Sequence, residues 1–368
     1  MPQRQRFMPQ RAWSAVAIAF VLVGLQAGIA QARTVVVGSD PTCQESIKER
    51  YATIQAAVNA SAAGGTVLVC PGKYPEQVVL GQPLIIKGVS NPAAGTSSAI
   101  ISVPAGGLAV NVSNGTDTAQ VVFQGFNSGQ AQLVNLIVDG AGGSCSGPTA
   151  GVKLYNVGDP TWTSSAAIVS GVVVRNQCSD AVNADNAYIT VQNSIMHDIG
   201  GNGVTGLGGD LLVNNNTMHN VAAWGVALTA SANSVVSNNN LSTQRGILVD
   251  SGSSAVQVSS NIIGPFTGTG VLVVQSTGVN VKSNKINGSY AGIWLYKVST
   301  SMVMSNTLNH MYQFGIVDEG SLAGNTIQNN VITAAPKGIV LYNSDGSGDI
   351  ITPNTFNAVD AHNSNWLW

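Results

Sequence analysis

An all-β fold, a right-handed parallel β-helix (a solenoid of single-chain coils) with a short N-terminal amphipathic capping helix, is predicted by three features of this sequence. An asparagine recurs at Asn216, Asn239, Asn261, Asn284, Asn306, Asn330 and Asn354, at a mean spacing of 23 residues. Each sits in a frame of V-x-x-N-x-I outline, from Val213–Met218 through Val258–Ile263 to Ile351–Phe356. A second ladder, Gly203, Gly225, Gly246, Gly270, Gly292, Gly315 and Gly338, opens G-[IV]-x-x segments at a mean spacing of 22.5 residues. Two registers with one period describe one coil repeated. Propeller blades need about 40 residues or more, and leucine-rich repeats need their own consensus, so neither fits.

The elements follow in order. Arg4, Arg6 and Arg11 precede an apolar run from Ala12 to Ala30 and the small-residue motif Ala30-Gln31-Ala32, the pattern of a secretory signal peptide over residues 1–32. Residues 33–80 read as a cap helix with the first coil. Thr53 is an N-cap ahead of Ile54, Ala57 and Val58 at helical spacing, Gly64-Gly65 stops the helix, and Thr66–Val69 is a strand turned at Pro71-Gly72. Residues 81–368 read as coils ending in the apolar tail Trp366-Leu367-Trp368, a cover for the last coil or a frayed end. An amphipathic helix across the first coil would shield its unpaired edge.

Strand alternation assigns the faces. The residue after each ladder glycine points inward, giving a stack of Val204, Val226, Ile247, Val271, Ile293, Ile316 and Ile339. The asparagines are expected at the corners between strands, taking the left-handed conformation and bonding to one another from coil to coil, a structural role rather than a ligand-binding one.

Only 9% of residues are charged. Removal of the three leader arginines lowers the 15 basic residues to 12 against 17 acidic, a net charge of −5. That balance excludes nucleic acid as a partner, and nothing after the leader is a membrane span. Secretion, to a periplasm, cell surface or medium, is expected. Cys43, Cys70, Cys145 and Cys178 then form two disulfides; sequence order favours Cys43 with Cys70 and Cys145 with Cys178 among three possible pairings.

The stretches Tyr51-Ala-Thr-Ile-Gln-Ala-Ala-Val58 and Gly65-Thr-Val-Leu-Val-Cys-Pro-Gly-Lys-Tyr-Pro-Glu-Gln-Val-Val79, with the coil pattern, resemble the pectin lyase-like superfamily. The opening is similar to that of bacterial pectin methylesterases, with a T-I-x-x-A helix and a P-G-x-Y-x-E turn. The resemblance implies the fold. The catalytic motifs of pectin methylesterases, polygalacturonases and pectate lyases are absent, so the likeness is to generic β-helix repeat proteins and no family chemistry is carried over.

Chemistry must sit on outward faces, because the interior of such a coil is filled. Aligning Gly151 and Ala181 with the glycine ladder puts Lys153 and Tyr155 on one coil beside Asn183 and Asp185 on the next, with Trp162 on a longer connecting stretch as a stacking platform. Lysine or tyrosine can take the proton next to a uronate carboxylate while a cation neutralises the developing charge, so Lys153, Tyr155 and Asp185 are catalytic candidates. The plainer reading is an exposed Lys–Asp pair on a solvated sheet.

His197 and His219 align in adjacent coils, with Asp198 beside them, as a weak metal or proton-transfer pair; turn histidines repeated by duplication are the simpler account. An outward file of Leu248, Leu272, Trp294, Val317 and Val340, with Tyr296 and Tyr342 two residues after Trp294 and Val340, reads as self-covering, a subunit contact, or a glycan surface using Trp294, Tyr296 and Tyr342. No motif demands a cofactor; calcium, structural or catalytic, stays open. The leading expectation is binding, with or without cleavage by a lyase or hydrolase, of an extended acidic polysaccharide. The alternative is a non-catalytic structural or adhesive protein that self-associates.

Overall fold

The computed structural model describes residues 32–366 apart from 40–42, 45, 91–97, 110, 113–116, 142–148, 159–165, 323 and 344–347. They form an all-β solenoid of about 11 turns. A 13-stranded sheet makes one long side, with Thr66–Val69, Ile85–Gly88, Ala131–Val134, Ala167–Ser170 and Ile189–Gln192 stacked in parallel. A 23-stranded sheet supplies the other two sides. The second side runs through Ile137–Asp139, Val173–Gln177, Ile195–Ile199 and Thr217–Val221. The third runs through Thr149–Val157, Val182–Ala187, Val204–Leu207, Trp224–Thr229 and onward to Val331–Tyr342. Among the described residues, Asn111–Val112 against Asp117–Phe126 is the one antiparallel pairing of strands.

The interior is built as the alternation requires. Val204, Val226, Ile247, Val271, Ile293, Ile316 and Ile339 pair residue for residue and are all essentially unexposed. Each buried valine or isoleucine side chain contributes about 1.5–3 kcal/mol. The preceding glycines are needed because a Cβ on Gly246 would lie 2.0 Å from the Gly270 carbonyl oxygen of the next coil.

Asparagine is buried at the corner between the first and second sides, from Asn216 to Asn330. From Asn239 onward, each side-chain carbonyl accepts two bonds from the coil before it, while Asn216 accepts one, from the Ser194 N–H. Asn261 Oδ1 takes the Asn239 backbone N–H at 3.0 Å and its Nδ2 at 3.0 Å, while Asn261 Nδ2 donates to Val236 O at 2.9 Å and Asn284 Oδ1 at 2.9 Å. The ladder runs from Ser194 to Asn354. One expectation is corrected: the left-handed residue is the one before each rung. Asn215, Asn238, Ser260, Ser283, Ser305 and Asn329 have φ of 55, 56, 58, 57, 58 and 57°, so the turn is made ahead of the rung and the rung's amide is swung inward to bond.

At the N-terminal end, Thr34–Val37 pairs in parallel with Thr66–Val69. A helix spans Ile54–Ala60, and Thr53 Oγ1 accepts from Ala56 N at 3.1 Å. Glu76, from the Pro-Gly turn, accepts the Ile54 and Gln55 N–H groups at 2.8 Å each, placing a carboxylate on the helix N-terminus. Ile54, Ala57 and Val58 join the core that begins with Val35 and Val37. Cys43 and Cys70 are bonded, with an S–S distance of 1.98 Å. Cys178 is also disulfide-bonded; Cys145 lies outside the described residues, as do residues 1–31 of the expected signal peptide, Trp162 and the tail residues Leu367 and Trp368. Trp366 belongs to the last strand, Thr355–Trp366, in register with Tyr342.

Replacing Asn261 with alanine leaves the two Asn239 donors buried without an acceptor, and each such group costs about 1–3 kcal/mol. Chemical denaturation is expected to show a loss of about 3 kcal/mol, against less than about 0.5 kcal/mol for an exposed serine-to-alanine control.

Candidate functional site

The outward residues of the third side form one continuous file. It begins Val122, Lys153, Asn183, Thr205, Ala227 and continues Leu248, Leu272, Trp294, Val317, Val340. Two residues along each strand runs a companion file, in which Tyr155 pairs with Asp185 and, farther down, Glu319 pairs with Tyr296 on one side and Tyr342 on the other. The sequence alignment of Gly151 and Ala181 is thus reproduced in space.

Lys153 differs from expectation in its environment: it is only 2% exposed, not part of a solvated surface pair. Its Nζ donates to Asn183 Oδ1 at 2.8 Å and lies 3.8 Å from Asp185 Oδ2. Asn183 Nδ2 in turn donates to Asp180 Oδ2 at 2.8 Å, and Asp180 Oδ1 accepts the Asn202 N–H at 2.8 Å. Ala119 and Val122, outward on the preceding coil, are wholly buried too, with Val79 and Tyr155 packed against them and Ala150. A buried ammonium has to be matched by oxygen ligands, and this network supplies them. Asp185 keeps 28% of its side chain exposed, so the accessible edge of the cluster is Asp185 with half-buried Tyr155.

On the second side, Asp139, Arg175, His197 and His219 occupy one outward file over consecutive coils. Arg175 Nη2 and Nε reach Asp139 Oδ2 at 2.8 and 2.9 Å. Burial pushes the Asp139 pKa up, but bonds from the Asn176 amide, the Ala141 N–H and Arg175 outweigh it and hold the group below the usual carboxylate range. The two imidazoles stack with centroids 5.1 Å apart and planes 6° from parallel. Rings so stacked aim their lone pairs side by side, and His197 Nδ1 is engaged by Asp198 Oδ2 at 2.7 Å, so one ion cannot lie in both ring planes. Among the described residues no group of three or more His, Cys, Asp or Glu side chains converges on a metal position. Asp198, whose own φ is 57°, also accepts from Asn220 Nδ2; His197 first and Asn220 second hold its pKa down.

Farther along the third side the surface becomes aromatic and cationic. Trp294 packs edge-on against Phe314 at 6.4 Å, Phe314 against Tyr290 at 5.8 Å, and Trp294 Nε1 donates to Glu319 Oε2 at 3.1 Å. Arg245 lies 5.5 Å over Trp224, Lys297 5.1 Å over Tyr296 and Lys337 5.4 Å over Phe314. Tyr290 and Tyr312 are 41% and 55% exposed, whereas Val317 and Val340 are each only 4% exposed. The uniformly exposed apolar file expected from the sequence is therefore interrupted at its end.

Sequence reasoning missed Asp139, Arg175 and these cation–ring pairs. Asp139 and Arg175 stand 36 residues apart because their coil is lengthened, which hides their adjacency from a 22-residue ruler. Phe314 and Lys337 stand just before ladder glycines, a position the outward count began after.

The model of the right-handed β-helix region matches residues 160–307, and that of the periplasmic copper-binding protein NosD matches residues 252–363. Among solved structures, the A-module of mannuronan C-5 epimerase AlgE4 of Azotobacter vinelandii superposes with a TM-score of 0.67 at 18% identity, over 86% of this chain and 92% of that one. This chain is a right-handed parallel β-helix of the pectin lyase-like fold. The β-helix also resembles the GH136 lacto-N-biosidase of Eubacterium ramulus (TM-score 0.59, 11% identity, 88% and 68% covered). It resembles the family 28 exopolygalacturonase of Yersinia enterocolitica as well (0.50, 12%, 91% and 78%). No curated protein sequence matches the chain.

Because its folded pKa is depressed, Asp198 contributes stability that is present above its unfolded pKa and lost as pH falls through the folded value. Carbon-detected NMR titration should place its carboxyl below the ordinary carboxylate range, and Asn220→Ala should move it back upward. An unchanged titration in the variant would remove Asn220 from this account.

Proposed function

We propose that this β-helix is an exported protein that binds an extended acidic polysaccharide along its third side, and that Tyr155 and Asp185 with Lys153 act on the bound chain. The observation that carries the reading is the set of three cation–ring pairs, Arg245 on Trp224, Lys297 on Tyr296 and Lys337 on Phe314. Aromatic faces stack on the C–H faces of sugar rings, and neighbouring cations attract the carboxylates that distinguish uronates from neutral sugars. From Lys153 to Trp294 the file takes six coil-to-coil steps. At about 4.8 Å each, that is a track of about 29 Å. The solved structures named above include proteins whose names place them on mannuronan, polygalacturonate and an oligosaccharide, and a periplasmic protein's model matches residues 252–363. Both agree with this reading.

In the catalytic part of the proposal, Tyr155 as the phenolate takes the proton beside a uronate carboxylate, and the carbanion either regains a proton from solvent or expels the 4-linked sugar, whose oxygen takes up a proton, leaving an unsaturated end. The Lys153 charge, held by Asn183 and Asp185, stabilises the negative charge that develops. Self-association through the apolar file is disfavoured, since Val317 and Val340 are already covered.

Affinity electrophoresis in gels containing polymannuronate or polygalacturonate should retard the protein more than gels containing a neutral glucan. Trp294→Ala and Lys337→Ala should each weaken polyuronate binding about tenfold, about 1.4 kcal/mol. Equal retardation in neutral and acidic gels would refute the assignment of an acidic ligand. Turnover is read as unsaturated ends by ultraviolet absorbance or as solvent deuterium incorporated into the polymer. Tyr155→Phe should abolish either signal while leaving retardation intact.

A further inference from the structure

The interior of the third side holds one residue that breaks its pattern. The inward file Leu228, Val249, Val273, Leu295, Asp318, Leu341 is apolar in every coil but one, and Asp318 is 0% exposed. Among the described residues, no donor reaches either of its carboxylate oxygens in hydrogen-bonding geometry. Nearby, Asp349 Oδ1 accepts the Asn325 N–H at 2.8 Å, while its Oδ2 is buried and partnerless as well. Among the described residues, three buried carboxylate oxygens from two side chains therefore lack partners at one end of the core. The Ser321 hydroxyl and the Asn325 amide are the neutral groups that act on Asp318.

An isolated carboxylate in an apolar interior is among the costliest groups a fold can bury, and native chains match such groups with a counter-charge. We propose that Asp318 and Asp349, with Ser321, form an interior site for one calcium ion that fastens the last coils together. The donor set favours that cation. It consists of oxygen alone, whereas zinc and copper seek nitrogen or sulfur; and it is irregular, which calcium tolerates and magnesium does not. Two carboxylates also neutralise a divalent ion fully, leaving no net charge in the core. The remaining positions of a six- to eight-coordinate ion fall to water or backbone carbonyls. Burial first, opposed by Ser321 and reinforced by Asp349, pushes the Asp318 pKa up to about 6, which is the mark of a carboxylate short of positive charge. The site is separate from the outward face proposed to bind polysaccharide, and its role is stability rather than turnover.

The test is thermal unfolding of the full chain, stripped with EDTA and titrated with calcium chloride at pH 8, followed by circular dichroism. A rise in Tm of about 5 °C at saturating calcium, reversed by chelator, is expected. Terbium chloride should bind one ion per chain and be displaced by calcium. Asp318→Asn should weaken terbium binding at least tenfold. Asp318→Leu completes the apolar file, so it should fold, and it should show no calcium response. The proposal is overturned if calcium leaves the stripped chain's Tm unchanged, or if Asp318→Leu keeps the full response. The first result would mean that a proton, not a cation, neutralises the pair; the second would place the calcium effect elsewhere in the chain.

Discussion

The geometry of this molecule depends on a single repeated interaction, the acceptance by one asparagine carbonyl of two bonds from the coil before it. Parallel strands need their partners in register, and slippage by one residue would turn every core side chain outward. A buried amide that must meet a backbone N–H and a side-chain N–H at about 3.0 Å allows no such slip. The spacing it enforces varies only from 22 to 24 residues between rungs. The apolar stacks, the glycine contacts and the outward files all inherit that register.

The periodic part of the fold was legible because it is periodic. Asparagine and glycine ladders gave the coil, and alternation then gave the buried stack headed by Val204 and the outward file from Lys153 to Val340, both reproduced in the pairing register. What the period could not convey was burial on the outward side. Lys153 looks solvated from its position in a strand, yet packing around Ala119, Val122 and Ala150 removes it from water, and that packing comes from irregular stretches with no repeat to read. Nor could the sequence show that the left-handed turn residue precedes the rung asparagine. Asn215-Asn216, Asn238-Asn239 and Asn329-Asn330 offer two candidates each, and only Ser260-Asn261, Ser283-Asn284 and Ser305-Asn306 separate the turn residue from the ladder residue.

Charge is distributed with the same economy. Most coils present small polar or apolar side chains, while ion pairs gather where coil length departs from the norm, at Asp139 with Arg175 and at Lys153 with Asp185. The regular coils place their cations over aromatic rings instead, at Arg245, Lys297 and Lys337, whereas the lengthened coils hold hydrogen-bonded charge networks. Outward side chains can thus vary without disturbing the scaffold beneath them.

The asparagine ladder also has a direction. Asn239 N–H and Nδ2 point to Asn261, and Asn261 N–H and Nδ2 point to Asn284, so the bonds between rungs all run toward the C-terminus, while the second Nδ2 hydrogen of each returns to a backbone carbonyl of the coil before. Loss of one rung is then an asymmetric lesion. The coil upstream is left with two donors and no acceptor, and Val236 O loses its amide donor, whereas the coil downstream loses only one of the two bonds to its carbonyl, because the backbone N–H remains. A defect in this solenoid therefore reports backward along the chain, and the amide that first becomes open to exchange lies one coil before the residue that was changed.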